Sequence, residues 1–227
     1  MKNIYFFDLK RELNSIKTII ISLLFILISF LIAKYSPSLS TLIDDTGSSP
    51  AIAILFGIYA FMGFLFSSIL FSGIISKEIE SETLRYITPY SSRKKIYLAK
   101  YFVTVTYFSL ITALSLIILL FIRGVVIVPI QDYFNMLVFF MYIEAIVLLV
   151  STICSNERMA TLINLLLSLI FPIVFVIAFF KENIILKALV WLLPYKYLES
   201  SWEISILIIL TSCILILGIR IFERKEI

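Results

Sequence analysis

The chain is 227 residues long, 61% hydrophobic and 15% charged, with a net charge of +4 and a mean hydropathy of +1.08. A soluble domain carries about 45–50% apolar and about 25% charged residues, so this composition excludes a water-soluble globular protein. The absence of His removes His-based triads and H-E-x-x-H zinc sites. Without a G-x-x-x-x-G-K-[ST] segment the chain cannot bind ATP through a P-loop.

In chain order, residues 1–17, MKNIYFFDLKRELNSIK, place Ile4, Tyr5, Phe6, Leu9, Leu13 and Ile16 at roughly helical spacing among Lys2, Asp8, Lys10, Arg11, Glu12 and Lys17. This pattern predicts a helix lying flat at the membrane interface; the alternative is a plain extension of the first span. Six apolar runs follow, at about 18–33, 51–75, 102–122, 134–154, 161–180 and 204–219. About 20 apolar residues cross the hydrocarbon core, and the first run reaches that length if Lys17 and Lys34 snorkel. It lies behind a charged leader with no small-residue cleavage pattern after it, so it is not expected to be a cleaved signal. The runs are continuous rather than alternating, which favours helices over a β-barrel. The expected fold is all-α, one polytopic domain over 1–227 with six transmembrane helices.

Basic residues set the orientation. With six spans both termini share a side. That side holds 14 of the 19 Lys and Arg residues, in the N-terminus, the 76–101 segment, the SNERMA turn and the tail. The opposite side holds Lys34, Arg123, Lys181, Lys187 and Lys196. The positive-inside rule then puts the termini and 76–101 in the cytoplasm of a cell membrane. The net charge needs no nucleic-acid partner, because no basic patch with interleaved aromatics stands apart from this bias.

The segment 76–101, SKEIESETLRYITPYSSRKKIYLAKY, is the one long charged stretch between two spans. Ser81 is a candidate helix cap, with Glu82 in the first turn where a carboxylate suits the positive end of the dipole. Leu84 and Ile87 would share a face before Thr88-Pro89 breaks the helix. Ser91 or Ser92 restarts it, with Arg93, Lys94 and Lys95 as a basic elbow suited to anionic lipid headgroups. A short helix held between two rigid spans transmits force to both; the alternative is a solvated loop whose charges only fix topology.

The arrangement E-x-E-S-E-T-L-R-Y-I-T-P-Y-S-S-R-K-K-I-Y-L-A-K-Y-F resembles the loop after the second span in type-2 exporter permeases of the ATP-binding-cassette (ABC) family. The matching positions are Glu78 or Glu82, Thr83-Leu84, Ile87, Pro89, Ser92-Arg93 and Lys100; Ser81-Glu82 stands where the family often has Gly before Thr-Leu. The resemblance extends to the interfacial helix, the six spans, the short turn between spans four and five and the longer outer segment before span six. It implies that Glu82, Thr83, Leu84, Arg85, Tyr86, Ile87 and Thr88 form a coupling helix that docks on a cytosolic ATPase subunit. ATP and Mg would be bound by that subunit, leaving this chain with no cofactor or metal and no catalytic residue of its own. It further implies a dimer with a second permease copy or homologue.

Four further features bear on function. The outer segment Lys181–Glu203, with Ile184, Ile185, Leu186, Leu189 and Val190, is too apolar for a free loop. It is expected to be re-entrant or interfacial, with Trp191, Tyr195, Tyr197 and Trp202 in the aromatic belt. Glu144 is the one carboxylate placed deep in the bilayer, where a charge costs about 2.5–3.5 kcal/mol; it is a pathway or gating candidate or an interhelical hydrogen bond. Pro172 interrupts the fifth span and is a second gating candidate, although static spans also carry Pro. The stripe Ala53, Gly57, Ala60, Gly63 and Ser67 in span two permits close helix contact, within the subunit or at a dimer seam. Cys154 and Cys213 differ in depth and are expected to be free thiols.

The resulting expectation is a half-transporter permease that exports an apolar or amphipathic cargo, such as a hydrophobic peptide, a drug or a lipid-like molecule. Two rivals remain: a gradient-driven secondary transporter or channel using Glu144, and a non-transporting membrane anchor for a cytosolic protein.

Overall fold

The structure, a computed structural model, describes residues 2–39, 50–124, 129–180, 186, 189–198 and 203–225. The described residues are helical with no strand. The helices are α1 (Lys2–Leu13), α2 (Ile16–Leu39), α3 (Pro50–Phe71), α4 (Ser76–Glu80), α5 (Leu84–Ile87), α6 (Arg93–Arg123), α7 (Ile130–Ile153), α8 (Glu157–Phe180) and α9 (Ile204–Arg224), with a 3₁₀ turn at Pro194–Tyr197. Six of them are long and apolar enough to cross a membrane, and the chain is a multi-pass membrane protein. Continuous Leu, Ile and Phe runs take this form because a helix satisfies every backbone N–H and C=O internally.

The expected spans are present with shifted ends. α6 starts at Arg93, well before the expected residue 102, because the basic elbow is itself helical. It stops at Gly124, whose own N–H donates to the Leu120 and Phe121 carbonyls and whose φ of +65° turns the chain out of the helix. The run expected to reach residue 75 leaves helical form after Phe71 and turns into α4.

α7 is the hub. It packs against α3, α6, α8 and α9, and 67% of its apolar window is buried, against 22% for α8. An aromatic cluster ties four spans together. Phe25 of α2 lies against Tyr59 and Phe66 of α3, and Phe108 of α6 stacks on Phe140 of α7 at 4.4 Å and 10°. The small-residue stripe of α3 splits in two. Ala60, Gly63 and Ser67 are buried, and a Cβ on Gly63 would stand 2.7 Å from Phe140 Cε1. Ala53 and Gly57 are exposed, with open space around Gly57.

α1 packs on α6, where Tyr5 Oη donates to Thr106 Oγ1 at 2.9 Å. Its other side leaves Phe6, Phe7 and Leu13 exposed, the apolar surface that an interfacial helix needs. The described part of the outer segment packs on the middle of α7. Tyr142 Oη donates to the Leu192 carbonyl, and Tyr195 packs on Phe139 and Phe175. Two belt assignments are corrected here: Tyr197 is buried, with its hydroxyl on the Trp191 carbonyl at 2.6 Å, and Tyr195 is wedged among aromatic rings. Trp191 is exposed, with Lys196 Nζ 3.3 Å from its ring centre. Lys181, Ile184, Ile185, Lys187 and Trp202 lie outside the described residues. Both cysteines are free thiols, Cys154 buried and Cys213 exposed.

Candidate functional site

The segment between α3 and α6 is fastened from behind by four elements. At the α3–α4 turn, Ser151 Oγ of α7 accepts the Ile75 and Ser76 N–H groups at 3.2 and 3.1 Å. From α4, the Glu80 carboxylate accepts the Glu157 N–H at 2.9 Å, placing negative charge at the positive start of α8. Two residues earlier, Glu78 Oε1 accepts Lys100 Nζ of α6 at 2.6 Å, and Lys100 also reaches Asp8 of α1 at 3.4 Å. Arg11 closes the group, 3.3 Å from Asp8, 3.2 Å from Glu12 and 3.5 Å from Glu78. Burial alone would loosen the Arg11 proton, but Asp8, Glu12 and Glu78 outweigh it and the net shift is upward.

Lys100 is 1% exposed, so its pairing is obligatory: a lone buried ammonium loses several kcal/mol of hydration with no return. The network therefore joins α1, α4 and α6 into one unit.

The front of the segment is open. Leu84 is fully buried and anchors α5, whereas Tyr86 and Tyr90 are 76% and 91% exposed. Arg85 pairs with Glu82 at 2.8 Å in solvent, a contact worth at most about 1 kcal/mol. Thr88 Oγ1 donates to the Leu84 carbonyl at 2.7 Å and closes the short helix ahead of Pro89. The Ile87 side chain lies outside the described residues.

Ser81 does not cap this helix. The preceding residue of α5 is Thr83, which makes no side-chain cap bond, and the Ser81 hydroxyl pairs with that of Thr83 at 2.6 Å. The reason is the backbone at Glu82, whose φ of +55° breaks the helical path between α4 and α5. A left-handed conformation at a residue with a Cβ costs roughly 1–2 kcal/mol.

The basic elbow divides. Lys94 and Lys95 are exposed. Arg93 is engaged: its guanidinium donates to the carbonyls of Phe222, Glu223 and Lys225. It is thus not free for lipid headgroups, because the last carbonyls of α9 carry the negative end of that helix's dipole and compete for it. Lys225 repeats the device on α7, donating to the carbonyls of Thr152, Ile153 and Cys154 at 2.7, 3.3 and 2.9 Å.

The two gating candidates do not share this site. Glu144 is fully buried in α7, where Ser67 Oγ of α3 donates to its Oε1 and Thr104 of α6 lies beside it. Its Oε2 has no hydrogen-bond partner among the described residues. Pro172 is buried inside α8, which continues through it; the neighbouring Phe171 meets Phe64 of α3 edge to face. None of the described polar partners of Glu144 lies on α8.

Sequence reasoning passed over Glu80, Ser151 and Lys225, and treated Asp8 and Arg11 only as polar filler. A signal existed for Asp8 and for its pairing with Lys100. Asp8 falls four residues after Ile4 on the face that meets α6, and Lys100 falls four residues after the buried Ile96. A charge at an apolar position of a periodic face requires a partner. No protein-family model matches the chain, and no curated protein matches it.

Proposed function

We propose that this chain is the permease subunit of an ATP-binding-cassette exporter of the type-2 kind. It would be driven by a separate cytosolic ATPase that binds ATP and Mg, and would work with a second permease copy or homologue. The observation that carries the proposal is the contrast across 76–92, with a back tied to α1 and α6 by ion pairs and to α7 and α8 by hydrogen bonds, and an open front bearing Tyr86 and Tyr90. A segment built this way accepts force on its tyrosines and delivers it to several spans at once.

Two details favour the family resemblance. Glu78 and Lys100, near the two ends of the motif, form a buried ion pair. The left-handed residue is Glu82, the position before Thr83-Leu84 where the family often has Gly, the residue for which that conformation is free of strain.

In this mechanism ATP-driven closure of the motor subunits presses α5. The push travels through Glu78–Lys100 into α6, through Glu80 into α8 and through Ser151 into α7, and the spans rock between inward and outward access. The spans offer few charges, so the cargo is apolar or amphipathic.

The test is a search of the neighbouring coding region for an ATP-binding-cassette ATPase subunit, then co-expression with that subunit, co-purification and ATP hydrolysis in proteoliposomes. Tyr86→Ala with Tyr90→Ala should cut binding of the ATPase at least tenfold, because exposed aromatics are the usual interface hot spots. Transport should fall with it. Full binding and cargo-stimulated hydrolysis by this variant would refute the docking role. Labelling of a cysteine placed at Thr83 by an impermeant reagent from outside intact cells would overturn the orientation. Partner binding without ATP-dependent flux would leave the anchor reading standing instead.

A further inference from the structure

We infer that a cavity beside α1 is a binding site for the headgroup of an amine-bearing phospholipid. The cavity, about 560 Å³, is walled by α1, the first turn of α2, the end of α3 with α4, and the first turn of α8. That volume is in the range of small-molecule sites. Its depth is set by the chain: Lys17 begins one span, Ser72 and Gly73 follow another, and Glu157 begins a third. It therefore lies at the membrane surface, beside the exposed Phe7 of α1.

The chemistry of the lining selects the ligand. Lys17 and Lys77 both line the cavity, both are exposed, and neither has an ion-pair partner among the described residues. Glu157 lines it as well; its backbone N–H takes Glu80, while its half-buried carboxylate has no partner among the described residues. Arg11, Glu12 and Glu78 also face the cavity and pair with one another, and the one oxygen left over, Glu78 Oε2, is buried with no hydrogen-bond partner among the described residues, a further acceptor for a cation.

Uncommitted charges of both signs in one recess disfavour a simple anion, which Glu157 would repel, and a simple cation, which the lysines would repel. A phosphate bonded to Lys17 and Lys77 with a primary ammonium on Glu157 satisfies all three. The apolar Phe7, Ile69 and Leu70 on the same lining receive the first carbons of the acyl chains. This inference does not depend on the exporter proposal.

The test uses the full chain purified in detergent and native mass spectrometry with added lipid. Phosphatidylethanolamine should be retained at one per chain and at least tenfold more tightly than phosphatidylglycerol, which has the phosphate but no amine. Lys17→Gln with Lys77→Gln should weaken phosphatidylethanolamine at least tenfold, while Lys10→Gln, exposed on α1 and outside the lining, changes nothing. Glu157→Gln should bring the two lipids within about twofold of each other. Equal affinity of the unmodified chain for both lipids, or unchanged binding after loss of Lys17 and Lys77 charge, overturns the site. Competition by soluble glycerophosphoethanolamine at equal concentration overturns its assignment to a membrane lipid.

Discussion

Lys100 Nζ lies 2.6 Å from Glu78 Oε1, and the lysine is 1% exposed. One end of this pair sits in the first span after the charged loop, the other in the loop itself. Asp8 and Arg11 bring the N-terminal helix into the same group. The loop and α1 therefore cannot move independently of α6 without separating buried charges.

Removing the lysine should be far more harmful than removing the pair. Lys100→Met leaves Glu78 and Asp8 with only the half-exposed Arg11 as a partner and is expected to cost about 3 kcal/mol, the lower end of the range for breaking a buried pair. Lys100→Met with Glu78→Met, which restores an apolar fill, should recover most of that loss. Thermal unfolding of the detergent-solubilised chain measures both. Equal loss in the single and double variants would show that the bridge is not the stabilising element.

Two glycines of α3 should respond oppositely to the same change. Gly63→Ala drives a methyl to within 2.7 Å of the Phe140 ring, which is itself stacked on Phe108; about 1–3 kcal/mol of destabilisation is expected. Gly57→Ala meets open space and should stabilise by up to about 1 kcal/mol through helix propensity. The check is the order of their midpoints in a thermal scan.

The helix ends at the basic side are held by two cations from elsewhere in the chain. Arg93→Gln removes the donor to α9, and Lys225→Gln removes the donor to α7. Each should cost roughly 0.5–2 kcal/mol, the range for a charge at a helix C-terminus. Hydrogen exchange should rise at residues 219–224 in the first variant and at 149–153 in the second. Exchange spread evenly over the bundle would contradict this local capping.

Glu144 tests a gradient-driven mechanism against a packing role. Ser67→Ala leaves the buried carboxyl without its donor and should cost about 1–3 kcal/mol. Glu144→Gln keeps an acceptor for Ser67 and should preserve both stability and transport if the bond only joins α3 to α7. Loss of flux in a stably folded Glu144→Gln protein would favour a proton- or ion-coupled step at this residue.

Composition and pattern alone determined the class of this protein. Apolar runs long enough to cross a bilayer must be helical, since no water is present to satisfy an open backbone, and their count and approximate ends follow from that. The charged loop, its break at Thr88-Pro89 and the restart after Ser92 were equally legible, because each depends on neighbouring residues. Pairings across the chain were not. Lys100 meets Asp8 across 92 positions, Arg93 meets the Glu223 carbonyl across 130, and Ser67 meets Glu144 across 77. Which charge each cation finds depends on how the helices rotate about their axes when they pack, and local periodicity does not encode that rotation between helices. The same reason explains Ser81. Its sequence context suits a cap, but the geometry between α4 and α5, with Glu82 forced to φ +55°, left it outside the helix.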